Sequence, residues 1–235
     1  GIVGYSGDKS IHSVLLVGLI RLEYRGYDSA GIAAIDQGEL EIRKEKGKIK
    51  ALEDYLKLHP VNGHIGIGHT RWATHGEPSR GNAHPHVDGS RKIAVVHNGI
   101  IENYMHLRHE LTKKGHLFHT ETDTEVIPHL LEEELKTHGT LEKAIPAAVA
   151  KLEGKFACAI LYEKDPERIY FIKDGSPLIY GKGKNEGFLA SDIMAIIPQA
   201  KEQCIIKDGQ WGWMTRDEFQ LFEKDGSPVD VQLEH

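Results

Sequence analysis

The sequence predicts an α+β fold in which largely antiparallel sheets pack against helices. Apolar residues recur at helical spacing through the middle of the chain, between residues 103 and 152. After Lys155 the pattern changes to short apolar strands that are separated by turns. Strands joined by hairpin-length turns pair antiparallel, and helices grouped between blocks of strands form separate layers.

Each element has its own signal. Residues 1–5 are short and apolar, and Ser10 begins a segment whose apolar residues share one helical face. The segments 31–35 and 40–44 flank a glycine-containing turn, which predicts a hairpin. One predicted helix begins at Ser10, and the others cover 49–58, 103–114, 122–136 and 140–152. The further predicted strands cover 64–68, 93–96, 156–162, 168–173, 178–181, 187–190, 203–206, 211–214 and 219–223.

Composition indicates one soluble domain over residues 1–232, with 233–235 as the remnant of a purification tag. A formal net charge of -6 with dispersed basic residues argues against nucleic-acid binding. The sequence has no apolar run of the roughly 20 residues that span a bilayer and no signal-peptide pattern, so we expect no membrane association and a cytoplasmic location. Cys158 and Cys204 lie in apolar runs, which predicts buried thiols.

The segment 69–76 concentrates polar groups that suit an amino-acid carboxylate. Arg71 offers a bidentate guanidinium, and the hydroxyls of Thr70 and Thr74 complete the set of donors. An isolated arginine at a strand end more often forms a weak surface ion pair. The presence of Trp72 and His75 in the same short segment favours a binding site.

Asn98-Gly99 follows the strand predicted over 93–96. A side-chain amide beside a flexible backbone N-H can direct two donors at one oxygen, as an oxyanion hole requires. The alternative is a tight turn, for which Asn-Gly is the commonest dipeptide.

Asp123 also has two possible interpretations. It lies at the start of the helix predicted over 122–136, where an acid commonly caps the helix. A functional role would be to bind a substrate ammonium while Arg71 binds the carboxylate.

The fifteen histidines raise the question of a metal. His84-Pro85-His86 is the tightest pair, but no cysteine or carboxylate near it in sequence completes a ligand set, so we expect no metal and no cofactor. The stretch Gly181-Lys182-Gly183-Lys184 lacks the following helix that a phosphate loop needs.

Taken in order, these segments resemble the glutaminase domains of the glutamine:fructose-6-phosphate amidotransferases, which are class II, N-terminal-nucleophile enzymes. The shared motifs, which span nearly the whole chain, are Gly1-Ile2-Val3-Gly4, Glu23-Tyr24-Arg25-Gly26-Tyr27-Asp28-Ser29-Ala30-Gly31, the Arg71 and Asn98 segments, Glu121-Thr122-Asp123-Thr124-Glu125, Gly175-Ser176-Pro177-Leu178 and Ala190-Ser191-Asp192.

The resemblance implies a four-layer αββα sandwich with two mainly antiparallel sheets, and it implies roles for individual residues. Arg71, Thr74 and His75 would surround the carboxylate of L-glutamine or L-glutamate. Asp123 and Gly99 would bind its amino group.

The resemblance also assigns an oxyanion hole to Asn98 and Gly99, and it places Trp72 at the mouth of an ammonia passage. His84 and Arg25 would support the pocket.

The sequence departs from this family pattern at its beginning, where a nucleophilic cysteine is expected immediately before Gly1. We also expect the family's sugar-phosphate isomerase portion, the implied partner of this domain, to lie outside these residues, and a homodimer is compatible with the resemblance. Two other functions remain open: a catalytically inactive glutamine-binding module and a metal-binding protein.

Overall fold

A computed structural model describes residues 1–197 and 199–234. Two sheets pack face to face, and helices cover the outer face of each sheet, so the layer order is αββα. The predicted α+β class and the four-layer arrangement are therefore confirmed. His235, the last residue of the expected tag remnant, lies outside the described residues.

The first sheet has seven strands, and every neighbouring pair is antiparallel. The strand that begins the chain occupies its centre. In spatial order the strands are β11 (Glu202–Ile205), β9 (Ile179–Gly183), β10 (Glu186–Ala190), β1 (Ile2–Gly7), β4 (Ile65–Arg71), β2 (Ser29–Asp36) and β3 (Glu39–Lys46).

The second sheet has six strands, again all antiparallel. In spatial order they are β13 (Phe219–Phe222), β12 (Gln210–Met214), β8 (Asp165–Asp174), β7 (Gly154–Tyr162), β6 (Ile93–Ile101) and β5 (His86–Val87). The short strand β5 is the one element of this sheet that the sequence pattern did not predict.

Two helices, α1 (Ile11–Arg21) and α2 (Ile49–Leu58), cover the first sheet. Their buried residues recur at helical spacing, as in Ile11, Leu15 and Leu19 of α1, because only one face of each helix meets the sheet. The second sheet is covered by α3 (Tyr104–Lys113), α4 (Val126–His138) and α5 (Leu141–Val149).

The space between the sheets is filled by apolar side chains from both inner faces. Many are small, among them Ala94, Ala157 and Ala159, and all three are fully buried. Along β1 the side chains alternate, since Ile2 points between the sheets and Val3 points into the core beneath α1.

Three predictions about local structure are wrong. Strand β6 does not end before His97 but continues to Ile101, and α4 begins at Val126 rather than at Thr122. Cys158 is buried as predicted, but Cys204 lies near the end of the edge strand β11 and is only partly buried.

None of the helices within residues 1–197 and 199–234 is both long enough and apolar enough to cross a bilayer.

Close packing of α1 on β4 requires a glycine at position 66. A Cβ atom there would lie 2.7 Å from the Ala33 carbonyl oxygen and 2.7 Å from Ile11 Cγ1. We expect Gly66→Ala to lower the free energy of unfolding by about 1–3 kcal/mol, because the added methyl group forces the helix or a strand to move. Thermal or urea denaturation measures this loss.

Gly81→Ala is the matched control. Gly81 is exposed and its backbone is not left-handed, and a Cβ there would meet only Ser79 Oγ, at 3.8 Å. Equal unfolding midpoints for the two variants would show that the close approach of α1 to β4 does not constrain position 66.

Candidate active site

A cavity of about 410 Å³ opens where β4 and β6 end on opposite sides of the gap between the sheets. It brings together nine of the ten residues that the sequence assigned to the site: Arg25, Thr70, Arg71, Trp72, Thr74, His84, Asn98, Gly99 and Asp123. The tenth, His75, lies beside it, with Nδ1 3.9 Å from Asp123 Oδ1. Gly1 and Ser176, which belong to other motifs of the resemblance, also line the cavity.

Asn98 and Gly99 lie within strand β6 and do not form a turn. They oppose Ala157 and Phe156 of β7, and the antiparallel ladder continues beyond them to Ile101. The tight-turn interpretation is therefore wrong. Gly99 has a φ of 113°, and a Cβ atom there would lie 1.9 Å from the Lys155 carbonyl oxygen, so only glycine fits.

His69 orients the Asn98 side chain. Its Nε2 is 2.9 Å from Asn98 Oδ1, and its ring stacks on His84 with the centroids 4.1 Å apart. Burial lowers the pKa of His69 well below its usual value, so the ring is neutral at pH 7. A neutral His69 that donates from Nε2 to Oδ1 leaves the Asn98 amide nitrogen free to donate elsewhere.

His69 was not among the residues predicted for the site. The available signal was alternation along β4, which places His69 and Arg71 on the same face of the strand. The contact with Asn98 joins two different sheets. Neither the residue types nor their spacing in the sequence predicts a contact between sheets.

Arg71 is buried, and its guanidinium shapes the following loop. Its terminal nitrogens donate to the carbonyl oxygens of His75, of Gly76 at 3.1 Å and of Glu77 at 3.5 Å. Burial lowers the pKa of Arg71, and the carboxylates of Asp28 and Asp123 partly offset this effect. Much of the donor capacity expected for a substrate carboxylate is therefore used to hold the loop that carries Thr74 and His75.

Asp123 is buried and does not cap α4. Its Oδ2 accepts a hydrogen bond from the Ile101 N-H at 2.8 Å, at the end of β6. Glu125, at the N-terminus of α4, accepts hydrogen bonds from His119 N and Thr120 N at 2.8 Å each. The helix-cap interpretation of Asp123 is wrong, because the helix begins three residues later and the carboxylate contacts a distant strand.

The wall of the cavity near Gly1 is held from two sides. The Gly1 nitrogen donates to the Thr70 carbonyl oxygen at 2.7 Å, and the Ile2 N-H donates to Ser191 Oγ at 2.9 Å. Arg25 donates to the Ser191 carbonyl oxygen at 3.1 Å and pairs with Asp192 Oδ2 at 3.2 Å. Arg25 thus holds the Ser191-Asp192 segment that binds the start of β1.

Trp72 lies at the rim of the cavity and is 62% exposed. Its ring meets Tyr27 edge-on, with the centroids 5.6 Å apart. Two large exposed aromatic rings beside a polar cavity form an apolar lip.

The buried histidines near the site bind one another and Thr124. The backbone N-H of His97 donates to His84 Nδ1 at 3.2 Å, and the ring nitrogen Nδ1 of His97 is 2.8 Å from Thr124 Oγ1. Burial lowers the pKa of His97 to about 4, although Asp123 acts in the opposite direction. These rings are therefore neutral supports of the cavity wall.

Neither cysteine of the sequence lines this cavity. Cys158 is buried in β7, where burial raises the pKa of its thiol, and Cys204 lies in β11, where burial acts in the same direction. Both are poor nucleophiles in these environments.

Comparison with known proteins agrees with this geometry. A glutamine–fructose-6-phosphate aminotransferase (isomerizing) of Pyrococcus horikoshii is 49% identical over 94% of this chain and 37% of its own length. The protein of the same name from Clostridium tetani is 46% identical over the whole chain and 38% of its own length. The chain thus spans less than two-fifths of the length of these curated relatives.

The fold agrees as well. A solved glutamine phosphoribosylpyrophosphate amidotransferase from B. subtilis superposes with a TM-score of 0.82 over 95% of this chain and 49% of its own, at 26% identity. The profile of the glutamine amidotransferase domain matches residues 69–198, which is more than half of the chain. The matched span includes the end of β4, all of β6 and the Asp123 loop, and the chain belongs to the glutamine amidotransferase domain family.

Proposed function

We propose that this chain hydrolyses glutamine to glutamate and ammonia with a cysteine that is joined to the Gly1 nitrogen. The observation that supports this most strongly is the juxtaposition of Gly1, Asn98-Gly99 and the oppositely charged Arg71 and Asp123 around one cavity. An amino-acid zwitterion and a developing oxyanion both find partners there.

The position of the nucleophile follows from strand alternation. Ile2 opposes His69 in the ladder between β1 and β4, and its side chain points between the sheets. A residue joined to Gly1 would oppose Arg71, and its side chain would point to the same face as that of Ile2. Asn98 lies on the facing sheet, in the alternation of Ala94 and Val96, so the thiol and the amide would meet in the cavity.

The chemistry then uses the cysteine's own α-amine as the base. The amine takes the thiol proton, the thiolate attacks the side-chain amide carbon of glutamine, and a tetrahedral oxyanion forms. Collapse of this intermediate breaks the carbon–nitrogen bond, and ammonia leaves with the proton returned by the amine. Water then hydrolyses the thioester and releases glutamate.

The oxyanion would be stabilised by the Asn98 amide nitrogen and the Gly99 N-H. His69 contributes indirectly, because its hydrogen bond to Oδ1 fixes which end of the amide faces the cavity. Such donors act mainly on the transition state, since the ground-state carbonyl carries little charge.

Arg71 and Asp123 would bind the two charged groups on the substrate's α-carbon, the carboxylate and the ammonium group. Asp123 has one oxygen on the Ile101 N-H and the other oriented toward His75, so its charge is fixed at the cavity wall. Arg71 would act through its positive charge and through the loop that it holds, which presents Thr74 and His75 to the carboxylate.

In a longer protein the ammonia would pass to fructose 6-phosphate. The curated relatives carry that substrate in their names and extend well beyond the length of this chain. Trp72, exposed at the rim, is suited to cover an exit toward a sugar-phosphate isomerase portion that lies outside these residues.

Of the three predictions for the active site, the first concerns the nucleophile. A chain that begins Cys-Gly-Ile-Val-Gly should release ammonia from glutamine, whereas one that begins at Gly1 should bind glutamate without turnover. A coupled ammonia assay and calorimetric titration with glutamate measure the two properties. Steady turnover by the Gly1 chain would contradict the assignment, and binding without turnover by both chains would favour an inactive glutamine-binding module.

The second prediction is a double-mutant cycle in the cysteine-bearing chain. Asn98→Ala should lower kcat roughly a hundredfold, about 3 kcal/mol, through loss of one oxyanion donor. His69→Phe keeps a ring to stack on His84 but removes the donor to Asn98, and it should lower kcat roughly tenfold, about the net worth of one hydrogen bond.

The cycle shows whether His69 acts on catalysis by positioning Asn98. In the double variant His69→Phe should cost almost nothing further, because the amide that it positions is already absent. If the two losses add in full, His69 acts on catalysis by a route other than Asn98.

The third prediction isolates the charge of Asp123. Asp123→Asn retains an oxygen for the Ile101 N-H, so the fold should persist, but the counter-charge for the substrate ammonium is lost. Affinity for glutamate should fall by about tenfold or more, since a hydrogen bond to a charged group contributes about 1.5–3 kcal/mol. Unchanged affinity in calorimetry would exclude Asp123 from substrate binding.

A further inference from the structure

A second polar cluster lies in the outer helix layer that covers the second sheet. His116 follows α3, and His129 and Glu132 lie one turn apart on α4. His116 Nδ1 is 3.1 Å from His129 Nδ1 and 3.3 Å from Glu132 Oε2, and His129 Nδ1 is 3.9 Å from the same oxygen. Both imidazoles are buried.

The other nitrogen of each ring faces a carboxylate. His116 Nε2 is 3.2 Å from Glu133 Oε2, and His129 Nε2 is 3.7 Å from Glu125 Oε1. With a proton on each of these outer nitrogens, a neutral ring presents a lone pair at the opposite nitrogen. Two such lone pairs and one oxygen of the partly exposed Glu132 then converge, and a bound cation would satisfy all three.

The spacing fits a tetrahedral metal ion. Ligand atoms about 2.0–2.1 Å from Zn²⁺ lie roughly 3.3 Å from one another, and the three separations here bracket that value. Two imidazoles and one carboxylate suit zinc and the later first-row dications, whereas Mg²⁺ and Ca²⁺ prefer oxygen ligands throughout. Metal-bound histidines usually donate their other nitrogen to a carboxylate. His116 Nε2 is placed to do so with Glu133, whereas His129 Nε2 lies 3.7 Å from Glu125 Oε1, beyond hydrogen-bond distance.

The third ligand is fixed and the fourth position is accessible. Glu132 Oε2 accepts the Gly89 N-H at 3.2 Å, which leaves a second lone pair for an ion. His116 and Glu132 also line a surface cavity of about 280 Å³, from which water can complete the coordination.

We propose that His116, His129 and Glu132 form a binding site for a zinc-type transition-metal dication. The ion would join the α3–α4 connection to the first turns of α4. No metal was expected from the sequence, because the expectation rested on the pair His84 and His86, for which no completed ligand set was found in the sequence. The competing explanation of the same geometry is a proton shared between the two Nδ1 atoms.

The test is titration of the chain with Zn²⁺, using protein that has no polyhistidine tag and has been stripped by a chelator. We expect one Zn²⁺ per chain by calorimetry and by elemental analysis after gel filtration, a higher thermal midpoint with Zn²⁺, and no comparable effect of Mg²⁺. Absence of stoichiometric binding would overturn the proposal and support the shared proton.

Variants locate the ion. Glu132→Gln and His116→Gln should each lower the Zn²⁺ affinity at least tenfold. Glu133→Gln keeps all three ligands but weakens the partner of His116, together with ion pairs to Lys114 and Lys136, and it should lower the affinity by roughly 10–100-fold. His109→Gln is the matched control, since His109 is exposed on α3 and outside the cluster, and it should bind as the unchanged chain does.

Glu132 is partly exposed, so its substitution tests the site without emptying the core. Circular dichroism verifies that each variant is folded. If Glu132→Gln and His116→Gln bind Zn²⁺ as tightly as the unchanged chain, the ion binds elsewhere and the assignment is wrong.

Discussion

Face-to-face packing of the two sheets is the constraint on which the rest of the structure depends. Small side chains such as Ala94, Ala157 and Ala159 fill the space between them, so β4 of one sheet and β6 of the other lie close together. Polar side chains find room only where this apolar contact ends. Arg71 and Asn98 both lie at that boundary, and the cavity forms between them.

The same packing explains how the site controls its charges. Burial keeps His69, His84 and His97 neutral. These rings therefore contribute packing and hydrogen bonds to the cavity wall but no charge. The fixed charges that remain at the cavity include Arg71 and Asp123, which have opposite signs. A zwitterionic α-amino acid matches that pair better than an anion or a cation alone does.

Much of the fold was predictable because its signals are local. Alternation, helical spacing and turn residues located the hairpin of β2 and β3, the helices and the strands after Lys155. The guanidinium, the amide and the carboxylate that the separate motifs contribute all line one cavity.

The errors arose where a distant partner overrides a local preference. Asn98-Gly99 favours a turn in isolation, but pairing with β7 extends the strand through it. Asp123 favours a helix cap, but the Ile101 N-H binds its carboxylate instead. His69 and the His116–His129 contact were missed for the same reason, because each joins segments that only tertiary packing brings together.

The central position of β1 has a further consequence. The first residues of a strand usually fray, but Gly1 and Ile2 are paired to Thr70 on one side and to Ser191 on the other. A residue joined to Gly1 would therefore lose its conformational freedom when the protein folds and not when the substrate binds. The entropy of ordering the reactive group would be spent once in the lifetime of the molecule, and each catalytic cycle would begin with that group already confined.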